Sequence, residues 1–219
     1  MPEPPAAVGE PRSPKRSKST VNSVVELVLI VVIAVGLAVL IQAFVIKPYK
    51  IPSGSMEPTL AVGQRILVDR IGNALDGPRV GEIAVFHPPR WADQSAVCGP
   101  HPHKVAPGGE ACASPVAEED TSTNFIKRIV AGPGDVIAVR EGHVYRNGKR
   151  ESDPYIRECG RVPECNFPAP IKIPPGHWFM MGDNRGDSDD SRFWGPVPTS
   201  WIIGSAFFTY WPIDRIGGL

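Results

Sequence analysis

The feature that most constrains this chain is an unbroken apolar run, LVLIVVIAVGLAVLIQAFVI, from Leu27 to Ile46. At about 1.5 Å rise per residue, a helix of this length reaches roughly 30 Å, the thickness of the hydrocarbon core of a bilayer. A cleavable leader is the competing interpretation, but its apolar region should run about 7–15 residues and end in a small-x-small site. This run is longer and leads into FVIKPYK. We therefore expect a transmembrane helix over residues 22–46.

The segment before the run, residues 1–21, is rich in proline and basic residues and has no apolar periodicity, which indicates a disordered tail. Its positive charges favour a cytoplasmic N-terminus. Lys47, Lys50 and Arg65 on the other side of the run weaken that argument. The charge pattern thus favours a single-pass protein of the cell membrane, with residues 47–219 on the extracytoplasmic side.

All four cysteines lie after the apolar run, in segments rich in proline and glycine. Disulfides persist in oxidising compartments, so paired cysteines would also place residues 47–219 outside the cytoplasm. Four cysteines allow three connectivities, and unpaired thiols are a further alternative. We favour the sequence-local pairs, Cys98 with Cys112 and Cys159 with Cys165. A metal site is less favoured, because no C-x-x-C spacing occurs.

The composition after the run is typical of a β fold. Proline (25) and glycine (22) exceed a fifth of the 219 residues, which disfavours a helical bundle. Short runs rich in β-branched residues, such as RILVDRI and FIKRIVA, are bounded by turn residues. HVYRNGKR carries Asn147-Gly148, which predicts a hairpin turn. We expect one antiparallel β domain, interrupted by a long loop at residues 91–123 and a small excursion at about 150–171. Basic and acidic residues number 23 each, so no net charge suggests a nucleic-acid partner.

The segment IPSGSMEPTL, residues 51–60, places two serines around one glycine. This pattern is typical of a turn, and it also suits a nucleophile on a constrained backbone. A serine nucleophile can use a lysine as its base, provided that burial lowers the lysine pKa from about 10.4 to roughly 7–8. Lys127 is the best candidate because it lies among branched residues in FIKRIVA. The alternative is an exposed lysine on a half-buried strand.

Four segments, IPSGSMEPTL, GEIAVF, FIKRIVAGPGD and GDNRGDSDDSRFWG, resemble in this order the conserved boxes of bacterial type I signal peptidases. The resemblance implies a mainly β, barrel-like antiparallel catalytic domain behind one N-terminal transmembrane helix. It implies a serine endopeptidase that cleaves signal peptides from exported preproteins after small residues at −1 and −3, without a metal or cofactor. Signal peptides and the lipid bilayer are the expected partners, nucleic acid is not, and a monomer is expected.

The resemblance also assigns the chemistry. Ser55 is implied as the nucleophile, and Lys127 as the general base that takes its proton. The Ser53 hydroxyl and the backbone N–H of Ser55 are implied as the oxyanion hole, where a prealigned donor contributes roughly 3–4 kcal/mol. Gly54 between the two serines allows a tight turn.

Five further residues of the acidic segment are assigned supporting parts by the same resemblance. Ser188 is implied to hydrogen-bond and orient the lysine. Asp190 and Arg192 match a structural ion pair, and Asp183 and Asn184 match the start of the loop. A calcium loop beginning at Asp187 is disfavoured, since Arg192 stands where an EF-hand requires glycine.

The substrate-binding residues follow from the extended shape of a cleavage region, which can pair with strand edges and place alternate side chains in pockets. They are expected on two flanking strands and in the adjoining pockets for small residues, and ordinary core packing is the alternative for each. The residues are Tyr49, Ile51, Pro52, Met56, Leu60, Ile66, Val85, Asn124, Phe125 and Ile126.

Two other functions are alternatives to the peptidase. A self-cleaving repressor of the same Ser-Lys class should carry a DNA-binding part, whereas an inactive anchored β domain would serve as a binding module.

Overall fold

The computed structural model describes residues 20–92, 98–99, 105–160 and 162–219. Helix α1 runs from Thr20 to Phe44, and within the described residues it is the one helix long and apolar enough to cross a membrane. It begins two residues before the expected segment 22–46 and ends two residues earlier, because Ile46 already starts a strand. The tail expected over residues 1–21 lies outside the described residues up to position 19.

The apolar part of α1, Ser23–Ile41, is unburied along its whole length. A core helix of a soluble protein of the same composition would be largely covered by other elements. The chain divides into two compact units at Ile41, and residues 42–219 form the β-rich one.

The β-rich unit contains twelve strands and two short helices within its described residues. The strands are β1 Ile46–Lys50, β2 Arg65–Asp69, β3 Ile83–Phe86, β4 Phe125–Ala131, β5 Val136–Arg140, β6 His143–Arg146, β7 Lys149–Arg150, β8 Phe167–Lys172, β9 His177–Met181, β10 Val197–Pro198, β11 Ile202–Trp211 and β12 Gly217–Gly218; the helices are α2 Ile71–Asp76 and α3 Ser191–Trp194.

These strands form two antiparallel sheets. The larger has the order β1-β2-β11-β3-β4-β9-β10, with β12 paired to β11, and the smaller has the order β7-β6-β5-β8. The predicted mainly β, antiparallel class is therefore confirmed, as a curled half-barrel sheet with β1 and β10 at its edges. Strand β4 lies inside this sheet, paired with β3 on one side and β9 on the other.

Most predicted strands form where branched and aromatic residues alternate with turns. FIKRIVA becomes β4 without any change of bounds. The hairpin β6–β7 turns at Asn147 and Gly148, whose φ angles of 52° and 81° are both positive. A two-residue turn of that kind matches the twist of the strands it joins, which explains the strength of the Asn-Gly signal.

The expectation of a separate excursion at 150–171 is wrong at its C-terminal end. Residues 167–171 belong to β8, which pairs with β5 at the edge of the smaller sheet. Two prolines in FPAPIK hid this strand, because proline cannot donate to a ladder and is tolerated on edge strands only. Phe167 and Ile171 face inward and are buried in the core below this sheet.

The long loop at 91–123 is tied to the β unit wherever the structure describes it. Pro89 bridges Glu119, Glu110 bridges Ala169 of β8, and the Cys112 N–H donates to the carbonyl of Arg192 over 2.9 Å. Residues 93–97 and 100–104 of this loop lie outside the described residues. The loop thus connects both sheets to the segment that carries α3.

The four cysteines lie at disulfide distance in the predicted sequence-local pairs. The sulfurs of Cys98 and Cys112 are 2.00 Å apart, and those of Cys159 and Cys165 are 1.91 Å apart. Mass spectrometry of unreduced peptides is expected to recover both pairs, and a crossed pairing would contradict this assignment.

Because the first pair spans 14 residues, replacing Cys98 and Cys112 by serine should lower the free energy of unfolding by about 3 kcal/mol.

Candidate active site

Ser55 lies on a single turn of 3-10 helix, Gly54–Met56, between β1 and β2, and Ser53 precedes this turn in an extended conformation. Ile51 and Met56 anchor the ends of this segment in the core, at 2% and 1% exposure. The hydroxyls of Ser53 and Ser55 remain at the surface with their oxygens 3.4 Å apart. Apolar anchors on both sides therefore hold the turn in place while the serine hydroxyls face outward.

Lys127 is buried in the middle of β4, with 4% of its surface exposed. Its ammonium nitrogen lies 5.7 Å from the centre of the Phe125 ring. The neighbouring Arg128 instead donates two hydrogen bonds to Asp183, from Nε over 2.9 Å and from Nη2 over 2.7 Å. Strand alternation thus separates the two adjacent cations, as the sequence pattern predicts.

Burial lowers the pKa of the Lys127 ammonium to about 8. The carboxylates of Asp190, Asp189 and Asp187 favour the charged form and limit this fall in pKa, whereas the Arg192 guanidinium adds to it. Desolvation is the dominant cause because an ammonium in an apolar environment loses most of its hydration. A lysine of this kind carries a substantial neutral fraction near neutral pH and can accept a proton.

Ser55 and Lys127 line the same cleft, which has a volume of about 370 Å³. Six predicted substrate-binding residues also line it, together with Ser53, Gly54 and Thr123: Ile51, Pro52, Met56, Asn124, Phe125 and Ile126. The turn after β1 contributes one wall and the start of β4 the other. The cleft therefore joins an exposed hydroxyl, a buried amine and an apolar surface.

The other four residues expected to bind substrate do not line this cleft. Leu60, Ile66 and Val85 have no exposed surface and pack, with Tyr49 beside them, in the core cluster beneath it. Ile66 and Val85 point inward from β2 and β3, and Leu60 is buried from the segment between β1 and β2. For these positions the core-packing alternative describes the structure.

The acidic loop after β9 centres on the buried carboxylate of Asp190. Arg192 donates to both its oxygens, from Nε over 2.7 Å and from Nη2 over 2.9 Å, which forms the predicted ion pair. The Ser188 hydroxyl donates to Asp190 over 2.8 Å, and the Gly182 N–H over 3.0 Å. Burial opposes ionisation of Asp190, but the charge and hydrogen bonds of Arg192 hold its pKa below the usual value.

The start of this loop holds the serine turn directly. The Asn184 side chain donates to the carbonyl of Gly54 over 3.1 Å, and the Asn184 N–H donates to the carbonyl of Ser55 over 3.0 Å. Asp183 accepts from the Thr59 hydroxyl over 2.6 Å in addition to Arg128. The pair Asp183–Asn184 thereby joins the serine turn to β4, the strand of the lysine.

Gly182 is the point of closest approach between the loop and the turn. A Cβ at this position would collide with the Ser55 carbonyl oxygen and with the Ser188 side chain, whose own Cβ would lie 2.6 Å away. Only a residue without a side chain lets the three segments meet here.

Sequence reasoning missed several residues that the structure brings to the site. Asp187 and Asp189 line the cleft beside Lys127, and Thr59 and Arg128 hold Asp183. The acidic run GDNRGDSDDSR was a visible signal, but its spacing alone does not say which carboxylates face the cleft. Thr59 and Arg128 carried no local signal, since their partner lies more than fifty residues further along the chain.

Comparison with known proteins places the chain in a protease class. Residues 24–211 match the family described as signal peptidase, peptidase S26. The chain belongs to this family, and its resemblance to type I signal peptidases is confirmed. Among curated relatives, a probable signal peptidase I-1 from a Synechocystis species is 38% identical over 190 residues, covering 87% of this chain and 84% of the relative. Signal peptidase I of Leptolyngbya laminosa is 33% identical over 220 residues, covering 100% of this chain and 93% of the relative.

Among solved structures, a signal peptidase I from Enterococcus faecalis aligns with 58% of this chain and 95% of its own length, at 21% identity and a TM-score of 0.35. An alignment this limited adds nothing to the family assignment.

Proposed function

We propose that this chain is a membrane-bound serine endopeptidase that removes signal peptides from exported preproteins. The observation that carries the proposal is the cleft shared by the Ser55 hydroxyl and the buried Lys127 amine. Nucleophilic catalysis needs a hydroxyl within reach of a base that is neutral at the working pH. Family membership over residues 24–211 supports the substrate class.

In the proposed reaction, the Ser55 oxygen attacks the carbonyl carbon of the scissile peptide bond while neutral Lys127 accepts the hydroxyl proton. The oxyanion that forms is stabilised by the Ser53 hydroxyl and the Ser55 N–H. When the tetrahedral intermediate collapses, Lys127 returns the proton to the leaving amine, and an ester between Ser55 and the signal peptide remains. Water then attacks this ester with Lys127 again acting as the base, which releases the signal peptide.

Ser188 is proposed to orient the Lys127 amine. Its hydroxyl proton is directed at Asp190, which leaves the oxygen lone pairs as acceptors for an N–H of the lysine. The bidentate pair with Arg192 fixes Asp190 in turn. The supporting residues would thus set the direction of the amine without taking part in bond making.

A preference for small residues at −1 and −3 follows from the wall of the cleft. Ile51, Met56 and Ile126 line it and also belong to the packed core cluster with Leu60, Ile66 and Val85. Such a wall resists displacement, because close-packed side chains have little room to move. An extended segment with small side chains would therefore fit, whereas bulky side chains would require the core to rearrange.

We place the protein in the cell membrane, with α1 as its single span, the N-terminus in the cytoplasm and the β unit outside. The apolar length of α1 supports the span. The two cysteine pairs at disulfide distance support an oxidising compartment for the β unit. The bilayer and the signal peptides of preproteins are the proposed partners of a monomeric enzyme, with no role for nucleic acid.

The proposed function is tested by incubating the detergent-solubilised full chain with a preprotein and sequencing the new N-terminus. Cleavage after a small residue at the end of the signal peptide is expected, and Ser55→Ala should abolish it. If the wild-type chain leaves the preprotein intact but binds it, the anchored binding module is the better description.

The activity should depend on pH through Lys127. Because the pKa of this base is lowered to about 8, its neutral fraction falls about tenfold for each pH unit below that value. We expect kcat/KM to decline accordingly from pH 8 to pH 5, by roughly five-hundredfold in total. Initial rates on a peptide substrate across this range test the prediction, and a flat profile down to pH 5 would exclude a lysine base.

A further inference from the structure

Arg157, in the segment that precedes the Cys159–Cys165 pair, reaches back to the serine turn. Its backbone is held on both sides by the acidic loop, since its N–H donates to the carbonyl of Asp183 over 2.8 Å and its carbonyl accepts from the Arg185 N–H over 3.3 Å. Its guanidinium Nη2 lies 3.1 Å from Oε2 of Glu57. The backbone hydrogen bonds therefore fix the main chain of Arg157, and the ion pair with Glu57 fixes the position of its guanidinium.

The Glu57 carboxylate lies against Gly54. From the position that a Cβ on Gly54 would occupy, the carboxylate carbon is 3.6 Å away and both oxygens are 3.8 Å away. The Glu57 N–H also donates to the carbonyl of Gly54 over 3.0 Å. Gly54 links Ser53 to Ser55 in the chain, so the carboxylate packs against the residue between the two proposed oxyanion donors, although Glu57 itself does not line the cleft.

A carboxylate at this place is a problem for the reaction proposed above. Negative charge develops on the substrate oxygen in the transition state, and a nearby negative charge raises its energy. Solvent screens this repulsion only in part, because the Glu57 side chain is 29% exposed. The Arg157 guanidinium lies 3.1 Å from the carboxylate, with its own side chain 54% exposed, and its opposite charge weakens the field of Glu57 at the donors.

We propose that Arg157 is a positioning residue that neutralises Glu57 beside the oxyanion hole. The inference rests on the proposed function and adds to it a part for Arg157, which lies within the excursion expected at about 150–171. Arg157 acts through Glu57 and touches neither the substrate nor the reacting atoms. The pair leaves no uncompensated charge next to the Ser53–Ser55 turn.

The test compares Arg157→Gln, Glu57→Gln and the double variant in the full chain, with an internally quenched signal-peptide substrate. Arg157→Gln leaves the carboxylate unpaired, so kcat should fall roughly three- to tenfold. Glu57→Gln removes the charge itself and should change kcat by less than about twofold. The double variant should recover most of the loss, and raising the salt to about 1 M should reduce the defect of Arg157→Gln.

An ion pair that only stabilises the local structure predicts a different set of kcat values. Glu57→Gln would then lower kcat as much as Arg157→Gln, the double variant would not recover, and the proposal would be overturned. An unchanged kcat for Arg157→Gln would overturn it as well. Arg90→Gln is the control, because Arg90 has the same side-chain exposure as Arg157, 54%, and pairs with Glu118 outside the cleft; kcat should not change.

The same experiment tests the proposed function independently of the further inference. Cleavage by the wild-type chain and its loss in Ser55→Ala report on the function, whatever the Arg157 variants do. The kcat values of the wild type, the two single variants at positions 57 and 157 and the double variant test the further inference alone.

Discussion

Replacement of Lys127 by methionine is expected to lower kcat by at least about a thousandfold, because the Ser55 hydroxyl loses its proton acceptor. The same change should stabilise the fold. Below pH 8 the native protein must hold a buried ammonium whose pKa is lowered from 10.5 to about 8, which costs about 3 kcal/mol. Methionine has a similar volume and carries no charge, so this cost disappears.

The sign of the stability effect follows from proton binding. Between pH 8 and pH 10.5 the unfolded chain holds a proton on Lys127 that the native chain has lost, so native stability rises with pH across this window. Lys127→Met removes this rise and should be more stable than the wild type at pH 7, by about 3 kcal/mol in urea unfolding of the solubilised chain. A variant that is inactive and more stable separates a chemical role from a folding role.

Two exposed lysines serve as controls for Lys127. Lys149 and Lys172 lie on the surface of the β unit, and methionine at either position should leave both kcat and stability close to the wild type. Ser55→Ala should match the activity loss of Lys127→Met without its gain in stability. Cleavage by Lys127→Met within tenfold of the wild-type rate would exclude this residue as the base.

Gly182→Ala is expected to lower kcat by about a hundredfold. The added methyl group would meet the Ser55 carbonyl and the Ser188 side chain at once, so the turn and the acidic loop must move apart. Overpacking of this kind costs about 1–3 kcal/mol of stability. Because reacting atoms must be placed within a fraction of an ångström, a displaced Ser55 loses far more rate than the fold loses stability.

The measurement pairs kcat at a temperature well below unfolding with a thermal unfolding curve of the same preparation. Gly217→Ala is the matched control, since a Cβ there has no heavy atom within 4 Å and its effect on both quantities should be small. If Gly182→Ala retained wild-type activity, the close packing of loop and turn would not be needed for catalysis.

Local patterns were enough to predict much of this molecule. The strand of Lys127 was predicted because FIKRIVA contains branched residues whose alternation is visible within seven positions. The hairpin at Asn147 and Gly148 was predicted because this dipeptide adopts the two positive φ angles that such a turn requires. For the cysteines the sequence left three connectivities open, and the sulfur distances agree with the favoured sequence-local one.

Other features had no local signal. Strand β8 was missed because its prolines resemble a loop, and only its place at a sheet edge makes them acceptable. Leu60, Ile66 and Val85 were assigned to pockets because an apolar residue looks the same in the sequence whether it lines a cleft or fills the core beneath it. The pair Glu57–Arg157 joins residues one hundred positions apart, and neither side chain indicates its partner.

The sequence by itself determined the kinds of parts in this protein: a long apolar helix, short antiparallel strands, a serine turn, a lysine within a strand and an acidic loop. Each depends on residues that are neighbours in the chain, where periodicity and turn chemistry act directly. Only the tertiary structure decided that Ser55 and Lys127 share one cleft, that Asn184 holds the serine turn and that Arg157 faces Glu57. These contacts join distant segments, and they form only when the core clusters of the sheets are packed.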